Sequence, residues 1–216
     1  MDKRIARGFD ILSARFGRQY WWPGGSPWEI CTGAVLTQNT SWNNVEKAIA
    51  LMKSAGAMDP QVVAELPDAE LEDLIRPSGF FRIKTRRLKN MAAWWLANVR
   101  DSKLPSGHPA AEWRRRLLDV NGIGPETADS ILLYCFNLPF FVIDAYTRRI
   151  SARHFDTDPD ISYHELQKLF MENLPASEEL FNEYHALLVR NAKACCRKNI
   201  CLEDCPLRSL RYVDEH

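Results

Sequence analysis

The sequence has 216 residues, of which 46% are hydrophobic, and this is enough to bury a core without disulfides. Its 28 lysines and arginines equal its 28 aspartates and glutamates, so no global positive field draws the chain to DNA or to a membrane surface. No run approaches about 18 uninterrupted apolar residues, and the start MDKRIARGFD lacks the apolar stretch of a secretory signal, so we expect a cytoplasmic protein.

Helical periodicity predicts one helix after another along the chain. Ser41 precedes a helical pattern as an N-cap, and Pro60 and Pro109 stand where proline commonly opens a helix. No pair of segments has the alternation of neighbouring strands, so the predicted fold class is all-α. The predicted helices span residues 3–16, 27–38, 42–55, 60–66, 68–75, 81–98, 109–119, 126–136, 145–154, 163–174 and 178–191.

The segment NGIG, residues 121–124, joins two of these helices. Its glycines permit a tight turn and a close approach of the backbone to a ligand, and Pro125 suits the first turn of the next helix. Amide groups at a helix start can bind a phosphate oxygen, so this helix, hairpin and helix indicate contact with a duplex backbone. The alternative is an ordinary turn between two packed helices.

The apolar run FFVI ends on Asp144, directly before a helix that carries Arg148 and Arg149. An aspartate in this position most often only caps the helix. Asp144 follows the second glycine of the hairpin by 20 residues, however, and the two motifs together favour a chemical role for the carboxylate.

Five segments share one register: GAVLTQNTSWNNVEKA, PSGFFRIKTRRLKNMA, VNGIGPETADSILLYCF, FFVIDAYTRRI and the cysteine-rich end. In the order and approximate spacing of these segments, the chain resembles the helix-hairpin-helix (HhH-GPD) superfamily of DNA glycosylases, and within it the endonuclease III-like group. The resemblance implies a two-lobed fold, with a six-helix bundle at residues 24–138 and a second lobe formed by residues 1–23 and 139–216. It also implies a base-excision-repair enzyme, active as a monomer on damaged double-stranded DNA, that flips a nucleotide and hydrolyses its N-glycosidic bond.

The resemblance assigns roles to single residues. Asp144 matches the catalytic aspartate, whose charge stabilises the sugar cation as the base departs. Gln38 matches a residue that fills the gap left by the flipped nucleotide, and Phe80, after Gly79, matches a wedge against the opposite strand. A helix cap and a loop-packing residue are the alternatives for Gln38 and Phe80. The hairpin positions that match DNA contacts are Gly122, Ile123, Gly124 and Thr127.

A basic run follows Phe80 and could hold phosphates, although a solvated helix face is the default interpretation of such a run. It consists of Lys84, Arg86, Arg87 and Lys89.

Glu126 stands two residues after the second hairpin glycine, where family members that also nick the strand carry a lysine. A carboxylate cannot supply the amine for a Schiff base, so a monofunctional hydrolase is expected. The segments WWPGGSPWEICTGAVLTQNT, RPSGFF and GIGPETADSILLY resemble the MagIII-type 3-methyladenine DNA glycosylases. This implies an alkylated purine as substrate, whose positive charge attracts indole faces, and a base pocket of Trp21, Trp22, Pro23 and Trp42.

Two other functions stay open at this point. One is an endonuclease III-like glycosylase and lyase that acts on oxidised pyrimidines through another amine. The other is a non-catalytic module that binds distorted DNA through the hairpin alone. The tandem tryptophans could also be a core patch.

The cysteines near the C-terminus lie within eleven positions and are Cys195, Cys196, Cys201 and Cys205. In a reducing compartment such crowding indicates a metal site rather than disulfides. The family resemblance implies a [4Fe-4S] cluster, although the family spacing C-x6-C-x2-C-x5-C is not reproduced. Zinc and a metal-free remnant stay open as alternatives, and the role would be structural in each case.

Overall fold

The structure is a computed structural model that describes residues 3–21 and 24–212. Its regular elements in this part of the chain are α-helices and two 3-10 helices, Arg76–Ser78 and Pro206–Tyr212, which confirms the all-α prediction. No helix among the described residues is both long and apolar enough to cross a membrane. The helices are α1 (Lys3–Phe16), α2 (Pro27–Leu36), α3 (Trp42–Ser54), α4 (Pro60–Glu65), α5 (Asp68–Ile75), α6 (Phe81–Asn98), α7 (Ala110–Leu118), α8 (Pro125–Phe136), α9 (Ala145–His154), α10 (Tyr163–Asn173) and α11 (Glu178–Ala194).

Caps explain where the helices start and where the predicted bounds were wrong. Ser162 closes a full capping box with Glu165 at the start of α10. Pro109 has an extended backbone, with ψ 153°, and is the N-cap of α7 rather than its first residue. Helix α2 ends at Leu36 instead of residue 38, because Thr37 caps it and a turn follows. Gln38 therefore lies in a turn.

Residues 24–138 belong to one compact unit, which contains α2 to α8. Helix α2 packs against α8, and α4 and α5 pack against α6. Trp95 lies at the centre of its aromatic core, 5.2 Å from Trp28 and 5.5 Å from Phe136 between ring centroids. The apolar run of α2 is buried on all sides, as expected of a central helix.

The second compact unit contains residues 3–21 and 139–212. Helix α11 packs against α1 and α9. Tyr184 on α11 is fully buried and donates a hydrogen bond of 2.7 Å to the carbonyl of Ile5 on α1. A Cβ at Gly8 would lie 2.6 Å from the Tyr184 hydroxyl, so the two helices approach each other at a glycine. The N-terminal helix is thereby fixed to the C-terminal part of the chain.

Lys84 does not face DNA phosphates as the basic run suggested. Its side chain is buried, and Nζ donates to the carbonyls of Leu36 at 2.8 Å and Ser78 at 2.6 Å. Burial, together with the nearby charge of Arg87, lowers the pKa of Lys84 to about 8. Through these two hydrogen bonds the amine links the end of α2 to the turn before α6.

Replacing Lys84 by methionine should remove a pH dependence of stability. Between pH 8 and 10 the unfolded chain, with a lysine pKa of about 10.4, binds more protons than the folded protein, so the wild type gains stability as pH rises. The gain over this range is about 2 kcal/mol, and the methionine variant lacks it. Urea unfolding of both proteins across this range measures the difference, and a constant difference would contradict the assignment.

Candidate functional site

The hairpin between α7 and α8 uses its two glycines differently. Gly122 has a φ of +93°, and a Cβ there would lie 2.3 Å from Cγ of Arg87. Gly124 has an ordinary φ of −90° as the N-cap of α8, and a Cβ there would meet no atom within 4 Å. Ile123 is buried and anchors the turn. Gly122 is thus required by packing, whereas Gly124 leaves open space in front of the first amides of α8.

Gln38 is bound to the hairpin. Its Nε2 donates to the carbonyl of Gly122 at 3.1 Å and to Oγ1 of Thr127 at 2.9 Å. Its Oε1 accepts a hydrogen bond of 2.5 Å from the guanidinium of Arg87. Both ends of the carboxamide are therefore used, and moving Gln38 into a gap in DNA would require breaking these bonds.

Phe80 has an unusual backbone and an exposed ring. Its φ of +48° lies in the left-handed region, which is strained for an aromatic residue, and its side chain is 67% exposed. Gly79, just before it, also has a positive φ of +69°. An aromatic ring is thus held out in solvent at the start of α6.

Asp144 is the N-cap of α9, the structural role that an aspartate in this sequence position most often has. Its Oδ1 accepts a hydrogen bond of 2.7 Å from the amide of Thr147, and its Oδ2 lies 3.5 Å from Nε2 of His185 on α11. The carboxyl is only 15% exposed. Capping thus occupies one oxygen, while the second oxygen faces an imidazole.

The pKa of Asp144 is lowered, although burial acts to raise it. The charge and hydrogen bond of His185 and the bond from Thr147 outweigh the burial. A depressed pKa keeps the carboxylate ionised at neutral pH and below it. A buried ionised carboxylate of this kind can stabilise a developing positive charge nearby.

Trp42 opens α3 and lines a pocket of about 400 Å³. Glu46, one turn later on the same helix, and Glu29 also line this pocket. Glu29 forms an ion pair of 2.7 Å with Lys53, which also lines the pocket. Trp21, another predicted base-pocket residue, is partly buried in the unit that contains residues 139–212. Trp22 and Pro23 lie outside the described residues.

Three of the four clustered thiols converge on His154, the last residue of α9. Its Nε2 lies 3.6 Å from Sγ of Cys196, 3.5 Å from Sγ of Cys201 and 3.8 Å from Sγ of Cys205. The thiol of Cys195 instead donates to Oδ1 of Asn191 at 3.5 Å. The predicted cysteines are thus brought together as a possible Cys/His metal site, with a histidine that the sequence interpretation did not include.

Comparison with known proteins identifies the family. The profile of the family described as HhH-GPD superfamily base excision DNA repair protein matches residues 32–176. The chain belongs to this superfamily. The match spans the turn after α2, the hairpin and Asp144, so four of the five segments from which the resemblance was inferred lie inside it, and the cysteine-rich end lies beyond it.

Individual relatives agree with this assignment. The chain is 39% identical, over 206 residues and 94% of both chains, to the provisionally assigned DNA repair glycosylase MJ1434 of Methanocaldococcus jannaschii. A solved non-covalent endonuclease III–DNA complex has the same fold, with a TM-score of 0.80 at 22% identity, over 97% of this chain and 94% of that one. The H. pylori 3-methyladenine DNA glycosylase MagIII bound to 1,N6-ethenoadenine has a TM-score of 0.72 at 25% identity, over 89% and 98%.

The sequence gives little indication that His154 lies at the thiol cluster or that His185 lies beside Asp144. His154 and Cys196 are 42 residues apart, so no metal-binding spacing connects them. His185 lies inside an amphipathic helical pattern, where a buried histidine is unremarkable. Glu29 and Glu46 look like solvated helix residues until the fold places them beside Trp42.

The two hairpin glycines should respond differently to the same change. Gly122→Ala should lower the free energy of unfolding by roughly 1–3 kcal/mol, because its φ and the contact with Arg87 both oppose a Cβ. Gly124→Ala, the matched control, should change it by less than about 1 kcal/mol, since its φ is ordinary and its surroundings are open. Thermal or urea unfolding measures both, and equal losses would contradict this division of roles.

Proposed function

We propose that the protein is a monofunctional DNA glycosylase that releases an alkylated purine, such as 3-methyladenine, from damaged double-stranded DNA. The observation that carries the proposal is the buried Asp144 carboxylate, held ionised by His185 and Thr147, in a chain of the HhH-GPD superfamily. We further propose that it acts as a monomer.

The chemistry needs little more than a carboxylate. A purine alkylated at N3 or N7 is positively charged and leaves with the electrons of the glycosidic bond, so no general acid has to protonate it. The sugar becomes oxocarbenium-like, and the charge of Asp144 stabilises it. A water molecule then adds its oxygen to C1′ and loses a proton, for which the carboxylate is a suitable acceptor.

The hydrogen bond from Thr147 and the contact with His185 give Asp144 a fixed orientation. An oriented ionised group needs little rearrangement as the sugar charge develops, which is the condition for efficient electrostatic stabilisation. Its capping bond is therefore compatible with a catalytic role, because the cap holds the carboxylate in place.

The pocket beside Trp42 supports a cationic base as substrate. An indole face attracts a cation by about 2 kcal/mol when water is excluded. Glu46, which also lines the pocket, adds negative charge that a neutral oxidised pyrimidine would not exploit, while the charge of Glu29 is balanced by Lys53. The similar MagIII structure contains an adenine derivative, which also supports a purine as the substrate base.

DNA binding is proposed through the hairpin and the turn before α6. The open space at Gly124 admits a phosphate to the first amides of α8, and Thr127 lies in the first turn of that helix. The exposed ring of Phe80 suits insertion beside a base pair. Glu126, exposed at the first turn of α8, supplies no amine for a Schiff base, which supports hydrolysis without strand cleavage.

We assign the cysteine-rich end no step in base release. The [4Fe-4S] cluster that the resemblance implies would need Cys195 as its fourth thiolate, whereas the other three thiols converge on His154 and that of Cys195 donates to Asn191.

Base release and strand nicking should be assayed separately on duplexes that carry 3-methyladenine, 7-methylguanine, thymine glycol, uracil or mispaired adenine. We expect release of a methylated purine without nicking. Asp144→Asn should lower the rate at least about 100-fold while DNA affinity is retained. Asp59→Asn, the same change at the N-cap of α4, is the matched control and should retain activity.

Two results would redirect the assignment. Nicking with a borohydride-trapped DNA adduct would favour the endonuclease III-like glycosylase and lyase. An Asp144→Asn protein that behaves as the wild type in every assay would favour a non-catalytic DNA-binding module.

His185→Gln should move the acidic limb of the pH–rate profile to higher pH. The pKa of Asp144 is lowered mainly by His185, so its loss raises that pKa, and the active carboxylate is protonated earlier as pH falls. His164→Gln, at an exposed histidine on α10, is the control and should leave the limb in place. Single-turnover rates from pH 4 to 8 measure the shift; an unmoved limb would show that His185 does not set this pKa.

A further inference from the structure

In the C-terminal cluster, three thiols converge on one imidazole nitrogen, while each also has a second polar neighbour: Arg153 for Cys196, the carbonyl of Leu202 for Cys201 and Asn191 for Cys205. One ring nitrogen of His154 lies within 3.5–3.8 Å of the sulfurs of Cys196, Cys201 and Cys205. A ring nitrogen either donates one proton or accepts one, so it can satisfy a single thiol at a time. Three sulfurs around one nitrogen therefore indicate ligands that surround a common ion.

The distances agree with one tetrahedral ion. Around Zn²⁺, bonds of about 2.3 Å to sulfur and about 2.1 Å to nitrogen place the two ligand atoms about 3.6 Å apart. The ligand atoms of His154, Cys201 and Cys205 lie within 4.8 Å of one another, and Cys196 joins this group through the 3.6 Å between its sulfur and Nε2 of His154. A four-iron cube, in which each iron carries its own outward thiolate, would hold its ligands farther apart.

The backbone around the cysteines is already arranged. Cys196 and Cys201 form an antiparallel bridge, which brings the first two thiols together across a short loop. The amide of Leu202 donates to the carbonyl of Cys195 at 2.9 Å, and the amide of Cys205 donates to the carbonyl of Leu202 at 3.1 Å. These backbone bonds hold the loop that carries the three thiols in a defined conformation.

Surrounding polar groups suit thiolates at these positions. The guanidinium of Arg153 donates to Sγ of Cys196 at 3.4 Å and also to the carbonyls of Arg197 and Lys198. Asn191 Nδ2 lies 3.7 Å from Sγ of Cys205. Outer hydrogen bonds of this kind stabilise deprotonated ligands and fix their orientation.

Cys195 is separated from this set. It is the C-cap of α11, and its thiol donates to Asn191 Oδ1. Cys205 also approaches that oxygen, at 3.8 Å, but its sulfur converges with those of Cys196 and Cys201 on Nε2 of His154, which makes the imidazole the fourth donor. A set of three thiolates and one imidazole is a common donor set of structural zinc. We propose that the site binds a single Zn²⁺ ion with a structural role, through Cys196, Cys201, Cys205 and His154.

The ion would connect α9, the end of α11 and the C-terminal loop. The zinc site goes beyond the proposed base release. It can be tested independently of that function, because metal content is measured without DNA.

The test begins with the full-length wild-type protein, expressed in medium that contains both iron and zinc and purified without oxygen. Elemental analysis should give about one zinc per chain, without acid-labile sulfide. Bound Co²⁺, used as a spectroscopic probe, should show the visible bands of a tetrahedral site with three thiolates and one nitrogen. His154→Cys should shift these bands towards those of a four-thiolate site.

Two further variants separate the possible ligand sets. Cys195→Ser should retain the zinc ion with unchanged affinity, whereas Cys201→Ser should lower the affinity more than about 100-fold, beyond the loss of an outer hydrogen bond. Competition with a chromogenic chelator measures both affinities. Cys195→Ser keeps the test decisive even if Cys201→Ser does not fold, since Cys195 lies outside the proposed set.

Three results would overturn the proposal. The first is iron with acid-labile sulfide in the wild type. The second is loss of the metal from Cys195→Ser. The third is a wild type that binds neither zinc nor Co²⁺.

Discussion

The carboxamide of Gln38 is the interaction on which the arrangement of the hairpin depends. It connects the turn after α2 to the carbonyl of Gly122, to Thr127 on α8 and, through Arg87, to α6. Because the side chain of Arg87 occupies the place where a Cβ at residue 122 would lie, only glycine allows α6 and the hairpin to approach this closely. The tight turn that exposes the first amides of α8 is therefore a result of packing inside residues 24–138.

Asp144 caps α9, and this structural role is compatible with the chemical role that we propose for it. A carboxylate buried without partners would be protonated, because burial raises its pKa. The amide of Thr147 and the imidazole of His185 reverse that tendency, so the group that caps α9 is also the one that stays charged. The capping interpretation and the catalytic one are thus compatible, since the cap supplies part of the charge stabilisation.

The C-terminal cluster follows a different principle. Its donors come from the end of α9 and from the loop after α11, so it exists only once these elements pack. Adjacent cysteines at positions 195 and 196 point to different partners because Cys195 still belongs to the end of the helix, while Cys196 starts the bridge to Cys201.

The sequence determined the helices, because periodicity and caps are local. The bounds of α1, α5, α6 and α9 agree with those predicted, and α2 ended early only because Thr37 and the following turn take over its last hydrogen bonds. Several motifs in one register likewise identified the superfamily. The prediction that Lys84 could hold phosphates was wrong. A lysine in a basic run carries no local sign that its amine will be buried and hydrogen-bonded to two carbonyls.

Only the tertiary structure decided which distant groups meet. His185 reaches Asp144 across 41 positions, and His154 reaches the thiols across 42 or more, from helices whose own patterns show only an amphipathic face. Side-chain charge and metal affinity depend on distances of a few ångströms between such groups. Those distances are set by helix packing, and no spacing along the chain encodes them.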